Sequence, residues 1–421
     1  MNEQSPINGK ITVIGIGEDG YDGLGNIARQ ILESASIIFG GKRHIAMLPG
    51  SNIATQNSWI TPFDANMPLI EECLDQNPVI LASGDPMFFG IGNTLVNYFG
   101  AKSITVIPHP SSISLAAARL GWALADCDII TLHGRAPEIL RSHLRPRGKL
   151  IALSSDASTP ALVAVMLCEA GFDQSRMTIC ERLGGTQERI TTQTAKTWQG
   201  TATSMPDVKP IDPLNLIMID LIAGPKATIL GNGPGLPDNA FIHDGMITKS
   251  EIRAQTIASL TPWRDAMLWD LGAGCGSISI EWMRAGGRAI AIERDVKRCD
   301  IIRKNAIRLG TPDLIIRHQG IEDILAESLP TATSEQDPDA IFIGGGITTP
   351  GLLDHCWALL PSHGRLVANT VTLEGEEELL RFYNKNGGTL SRLSVSRLVP
   401  RGNFKGWSNL APVTHYVGVK V

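Results

Sequence analysis

The sequence predicts an α/β protein with mostly parallel sheets, divided into two domains. Short Ile- and Val-rich runs alternate with helix-patterned segments along the whole chain, the pattern of βαβ units. The chain has 421 residues, more than one ordinary core organises. Between Ala223 and Asp238 it carries Gly224, Pro225, Gly231, Gly233, Pro234, Gly235 and Pro237, a run that resists helix and strand alike. We therefore set the halves at residues 1–225 and 226–421.

In the first half, strands are expected at Lys10–Ile16, Val79–Leu81, Ile104–Ile107, Asp128–Leu132, Leu150–Leu153, Met177–Glu181 and Leu216–Leu221. Helices are expected near Asn26–Glu33 and Pro160–Ala170. In the second half a helix over about Lys249–Ser259 precedes a strand at Met267–Leu271. Helix Ser277–Arg284, strand Ala289–Ile292 and helix Val296–Arg308 follow, with further strands at Leu314–Arg317 and Ala340–Ile343. Helix Leu352–Leu360, strand Arg365–Ala368 and helix Glu374–Asn384 lead to strand-like ends at Leu390–Val395 and Tyr416–Val421. Thr331–Pro338 reads as a polar loop, and no internal repeat is visible.

The net charge is −5 and basic residues are spread along the chain, which argues against a general nucleic-acid binder. Seven scattered cysteines without a CxxC pair argue against a zinc site or a disulfide framework, so no metal is expected. The N-terminal stretch Met1–Lys10 lacks a signal pattern, and no apolar run approaches bilayer-spanning length. The expected setting is cytoplasmic, with no membrane partner.

The densest signal is Trp269-Asp270-Leu271-Gly272-Ala273-Gly274-Cys275-Gly276-Ser277. A hydrophobic strand runs into closely spaced glycines and then a helix, whose N-terminus offers unpaired N–H groups. Glu293 ends the next strand, where an acid can accept hydrogen bonds from two ribose hydroxyls. A dinucleotide fold is the competing reading, but its glycines follow G-x-G-x-x-G. The spacing Gly272-x-Gly274-x-Gly276 suits a methionine-sulfonium nucleoside better than a pyrophosphate.

Three loops of the first half sit at expected strand ends. Gly15, Gly17 and Gly20 form a turn after the first strand. Ser83-Gly84-Asp85-Pro86, with Phe88 just beyond, puts a carboxylate in a tight turn, and Pro108–Ser114 supplies Ser111 and Ser112 beside a helix start. Asp85 and Ser112 also read simply as turn and helix caps. Three such loops in one domain point to a binding crevice at the strand ends. His109 and His133 receive no catalytic role, whereas Arg135 could pair with a substrate carboxylate.

On these residues the first half resembles the tetrapyrrole (corrin/porphyrin) methylase family, nearest its CbiE-like branch through Leu132-His133-Gly134-Arg135 and Ala82–Gly92. His109 departs from the glycine common in related methylases. The second half resembles the CbiT-like branch of class I methyltransferases, with a Rossmann-like fold. Its carriers are Gly235–Asp238, Asp244–Arg253, the glycine loop, Ala291–Arg294, Ile343–Gly346 and Val367–Glu374. The resemblance implies a tetrapyrrole-methylase fold of two α/β subdomains followed by the class I domain. It implies one S-adenosylmethionine per domain and a tetrapyrrole substrate methylated at carbons 5 and 15, with loss of carbon dioxide from the acetate at carbon 12. Carbon 15 and the decarboxylation would fall to the second half, and carbon 5 to the first.

Thr248, Gly320 and Ile321 complete the residues expected around the cofactor. Lys249, Glu251 and Arg253 are candidates for carboxylate binding or proton transfer, or form a solvated helix face. A homo-oligomer is expected. An RNA methyltransferase is the alternative function, disfavoured by the acidic net charge and sparse aromatics.

Overall fold

The computed structural model describes residues 11–201, 210–326 and 336–421. Residues 331–335 of the expected polar loop lie outside them. Two compact units result: one comprises the described chain up to Arg135 with Pro146–Thr228, the other Ala136–Arg145 with Ile229–Val421. No described helix is long and apolar enough to cross a membrane.

The first unit opens with an all-parallel sheet of β1 (Ile11–Ile16), β2 (Ile37–Gly40), β3 (Thr55–Ser58), β4 (Val79–Ser83) and β5 (Ile104–Ile107), in the order β3-β2-β4-β1-β5. β1 and β4 are buried nearly throughout because both faces are covered, as their unbroken apolar runs require. Five further strands build a second sheet: β6 (Cys127–Thr131), β7 (Arg147–Leu153), β8 (Arg176–Glu181), β9 (Arg189–Thr194) and β10 (Asn215–Ile222), ordered β6-β7-β10-β8-β9. Only β6 and β7 pair in parallel here; β10 runs antiparallel to both neighbours, and β8 to β9.

The second unit is a seven-stranded sheet. Its strands are β11 (Met267–Leu271), β12 (Arg288–Glu293), β13 (Ile315–His318), β14 (Ala340–Ile343), β15 (Arg365–Thr370), β16 (Thr389–Leu393) and, after the hairpin of β17 (Ser396–Arg401) and β18 (Phe404–Asn409), β19 (Val413–Val419). The order β13-β12-β11-β14-β15-β19-β16 reverses direction between β11 and β14, and only β19 pairs antiparallel with its neighbours. Open α/β sheets bind ligands at such a switch, beyond the strands' C-terminal ends. Helix 296–309 starts at Asp295, whose side chain accepts from Lys297 N–H, and stops at Gly310 in the left-handed region.

Strands β2, β3 and β9 and the β17–β18 hairpin go beyond the sequence expectations. β3 (TQNS) is polar and half-exposed, and β9 (RITTQT) lies at a sheet edge with little buried surface. The hairpin pairs only with itself and carries Pro400 opposite Lys405, so no apolar alternation marks it.

Candidate functional site

Beyond the C-terminal ends of β11, β12, β14 and β15 the second unit holds a cleft of about 710 Å³. Gly272, Ala273, Gly274, Ser277, Glu293, Thr248, Lys249 and Ile321 all line it, as do Asp270, Asn369 and the Gly344–Gly346 loop. Gly276 and Gly320 are not among the lining residues. A Cβ on Gly276 would stand 2.9 Å from Ile302, so this glycine lets the loop pack on its own helix layer. Gly320 N–H is capped by Asp323 Oδ2 at 2.8 Å.

Two buried acids underlie the glycine loop. Glu293, 5% exposed, accepts from Gly274 N–H at 2.8 Å with Oε2 and from Asp295 N–H at 3.0 Å with Oε1. Its carboxylate therefore shapes the loop and keeps lone pairs for a ligand. Gly274 has φ +61°, and a Cβ there would meet only Met246 O, at 3.8 Å, so its free side opens on the cleft. Asp270 is 1% exposed; Oδ2 accepts from Ser279 N–H and Oγ–H at 3.1 and 2.6 Å. Its Oδ1 has no hydrogen-bond partner, and burial pushes the carboxyl up to about 6. A buried carboxylate oxygen without a partner, lining a cleft, calls for a ligand donor or cation.

Of the three helix-start candidates, only Lys249 lines the cleft. Arg253 is 0% exposed: Nε donates to Glu281 Oε1 at 2.5 Å, Nη1 reaches Asp238 and Thr248 O, and Nη2 donates to Leu236 O. Glu281 in turn accepts from Gly235 and Leu236 N–H at 2.6 and 2.9 Å. Arg253 thus ties down the chain preceding its helix; it is neither solvated nor facing a ligand. Glu251 pairs with Arg397 on β17, which holds its carboxyl down near about 2.

A polar chain absent from the sequence reading backs the cleft. Asn369 Nδ2 donates to Thr256 Oγ1 at 2.9 Å, whose proton goes to Ile252 O at 2.8 Å. Asn369 Oδ1 must then accept from His415 Nδ1 at 2.7 Å, leaving Nε2 to accept from Ser259 Oγ at 2.9 Å. Burial holds His415 down to about 4, in its neutral form. The signal was faint: Asn369 and His415 are 46 positions apart and meet only because β15 pairs with β19.

In the first unit, the loops after β1, β4 and β5 meet backbone to backbone. Gly84 N–H donates to Ile16 O at 3.0 Å, and His109 N–H to Gly84 O at 3.2 Å. A Cβ on Gly15 would stand 1.9 Å from Gly84 O and 2.7 Å from His109 N. Gly17 faces Asp19 and the His109 ring, whose Nε2 lies 3.3 Å from Asp19 Oδ2. Below this turn Glu18 accepts from Arg43 and, at 3.0 Å, from Arg182. Asp85 Oδ1 caps its own turn, accepting from Met87 N–H at 2.9 Å, and Phe88 stands 40% exposed beyond it. Ser111 caps helix 112–120, accepting from Ser114 N–H at 3.2 Å, and Ser112 is exposed. Arg135 is exposed in the turn after β6.

Residues 10–199 match the family Tetrapyrrole (Corrin/Porphyrin) Methylases, and residues 239–420 match Precorrin methyltransferase domain. A "Precorrin-6Y C(5,15)-methyltransferase [decarboxylating]" of Sinorhizobium sp is 39% identical over 421 residues, covering 100% of this chain and 98% of that protein. A "Cobalt-precorrin-7 C(5)-methyltransferase" of Salmonella typhimurium is 32% identical over 192 residues, 43% of this chain and 88% of that protein. A "Probable cobalt-precorrin-6B C(15)-methyltransferase (decarboxylating)" of Pyrobaculum aerophilum is 31% identical over 186 residues, 43% of this chain and 91% of that protein.

Proposed function

The chain belongs to the precorrin-6Y C(5,15)-methyltransferase (decarboxylating) family, and from that premise we propose how its two halves share the work. It methylates precorrin-6Y at carbons 5 and 15 and removes the carboxyl of the carbon-12 acetate, giving precorrin-8X. Residues 1–225 act at carbon 5, and residues 226–421 act at carbon 15 and on the acetate. Single-function relatives named for carbon 5 and for carbon 15, each similar to less than half of the chain, support this division.

The observation that carries the reading is the pair of buried acids beneath an open glycine loop. S-adenosylmethionine brings an ammonium group and a ribose diol; Asp270 Oδ1 suits the first and Glu293 the second. Thr248, Ala273, Gly274 and Ser277 line the same cleft. In the first half, the Gly15–Gly17, Gly84–Phe88 and Ser111–Ser112 loops at the strand ends take a second molecule of the cofactor. When bound, the cofactor supplies a methyl group already activated by its sulfonium. The protein's own part is to align that group with nucleophilic ring carbons and to exclude water. Arg135 offers a fork for a substrate carboxylate.

Mass spectrometry of the purified chain with precorrin-6Y and S-adenosylmethionine tests this. Two methyl additions and one loss of carbon dioxide are expected; methyl transfer to an RNA pool instead would overturn it. Calorimetry should find two cofactor molecules per chain, and a single site defeats the one-per-half assignment.

A further inference from the structure

We propose that Lys249 receives the substrate's acetate carboxylate in the second unit and returns a proton to the same carbon after carbon dioxide leaves; this rests on the decarboxylating function above. Lys249 is half-buried and lines the cleft beside Thr248, Ile252 and the glycine loop. Its ammonium forms no hydrogen bond or ion pair among the described residues. The other lining cations differ. Arg298 is paired with Asp244 at 2.9 Å, and Arg294 is exposed at the end of β12. Both are guanidinium groups, which keep their protons in proteins. Lys249 is thus the cleft's one cation able to give up a proton among the described lining residues, and it has no anion of its own. A half-buried ammonium with no protein anion is free to pair with a carboxylate that a ligand brings into the cleft.

The step balances without a further reagent. The bond between the acetate methylene and its carboxylate breaks, and its electron pair moves into the conjugated ring iminium as carbon dioxide departs. The exocyclic methylene so formed takes a proton from the Lys249 ammonium, giving a methyl group and restoring the iminium. The neutral amine regains its proton from solvent. An ammonium that first held the carboxylate is left beside the carbon that needs the proton. The methionine carboxylate of the cofactor offers the same chemistry, so the experiment separates the two sources.

Full-length wild type, Lys249→Arg and Lys249→Met are compared with precorrin-6Y and S-adenosylmethionine. The readouts are product mass, substrate KM and calorimetric cofactor affinity for the second unit. Loss of carbon dioxide should slow by about 10²- to 10⁴-fold in both variants, the usual range for a lost general acid. Lys249→Arg should keep a KM near that of wild type, because the charge remains, and Lys249→Met should raise it. Cofactor affinity should stay within about twofold in both, since another group anchors the cofactor. Unchanged loss of carbon dioxide in Lys249→Arg overturns the proposal. So does a cofactor affinity that falls about tenfold or more in Lys249→Met, which assigns Lys249 to the methionine carboxylate. A wild-type protein that releases no carbon dioxide overturns the functional reading itself, whatever the variants do.

Discussion

The two units place glycine-rich turns at the ends of parallel strands, yet they hold them in different ways. In the first, the loops after β1, β4 and β5 lock onto one another through main-chain hydrogen bonds, and Gly15 is a glycine because Gly84 O occupies the space of its side chain. In the second, the loop hangs from buried carboxylates: Glu293 grips Gly274 N–H, and Asp270 grips the start of the following helix through Ser279. The same residue type therefore records contact in one unit and clearance in the other. A glycine motif alone does not say which.

The sharpest test exchanges size at the two kinds of glycine. Gly15→Val forces side-chain atoms into backbone that cannot retreat, so the first unit should lose about 3 kcal/mol or more, read as a drop in its melting transition. Gly274→Val meets open space and bears only the strain of a left-handed backbone at φ +61°, about 1–3 kcal/mol, so the second unit should stay folded while losing its cofactor binding and the carbon-15 methylation. Equal destabilisation by both variants would erase the distinction between contact and clearance.

Buried charge is next. Arg253→Met strands Glu281 inside the second unit and should cost about 3–5 kcal/mol in denaturant unfolding. Arg397→Ala, at the half-exposed pair with Glu251, should cost no more than about 1 kcal/mol. Glu293→Ala removes charge-assisted hydrogen bonds worth about 1.5–3 kcal/mol, so cofactor affinity of the second unit should fall about ten- to a hundredfold by calorimetry. Unchanged affinity in the folded variant would move the acidic anchor elsewhere.

Asp270 makes the comparison sensitive to pH. Its folded value of about 6 lies above the unfolded one, so ionisation works against the empty fold. That contribution to stability is full below about pH 4 and is lost as pH rises through about 6. A cationic group seated on Oδ1 favours the ionised form, so cofactor affinity should rise about tenfold from pH 5 to pH 7 and flatten in Asp270→Asn. In the first unit Asp85 instead spends Oδ1 on its own turn, accepting from Met87 N–H. Asp85→Ala should cost that unit about 1 kcal/mol and weaken the carbon-5 methylation alone.

Much of this was legible in the sequence because local pattern and global fold agree there. The runs around Val79, Met267 and Ala340 are buried on both faces, and periodicity with flanking turns was enough to find them. The Gly272–Ser277 loop and Glu293 announced their cleft by spacing. What stayed hidden depends on partners distant in sequence. Arg253 could be read as a carboxylate or proton-transfer group or as part of a solvated face, and its burial against Glu281, 28 residues on, makes it neither. Asn369 acquires its orientation from a histidine on a strand that enters the sheet last. That Asp270 keeps one oxygen unpartnered is a fact of packing, and no motif encodes it.

The glycine- and proline-rich stretch between the halves reads as slack chain, but its later part is held firmly. Arg284 donates to Leu230 O and Gly231 O at 2.7 and 3.2 Å, and Glu281 with Arg253 fixes Gly235 and Leu236. For a gene that encodes the second half alone, the start codon has little freedom. A product beginning after Leu236 would leave Arg253, Arg284 and Glu281 facing a missing strap, so a freestanding version has to open at or before Leu230. The same strap limits where the chain can be trimmed: losing Leu230, Gly231, Gly235 or Leu236 removes an acceptor or donor that a buried charge is using, and just ahead of it Gly224 and Thr228 N–H are already committed to Gly171 O and Ala170 O.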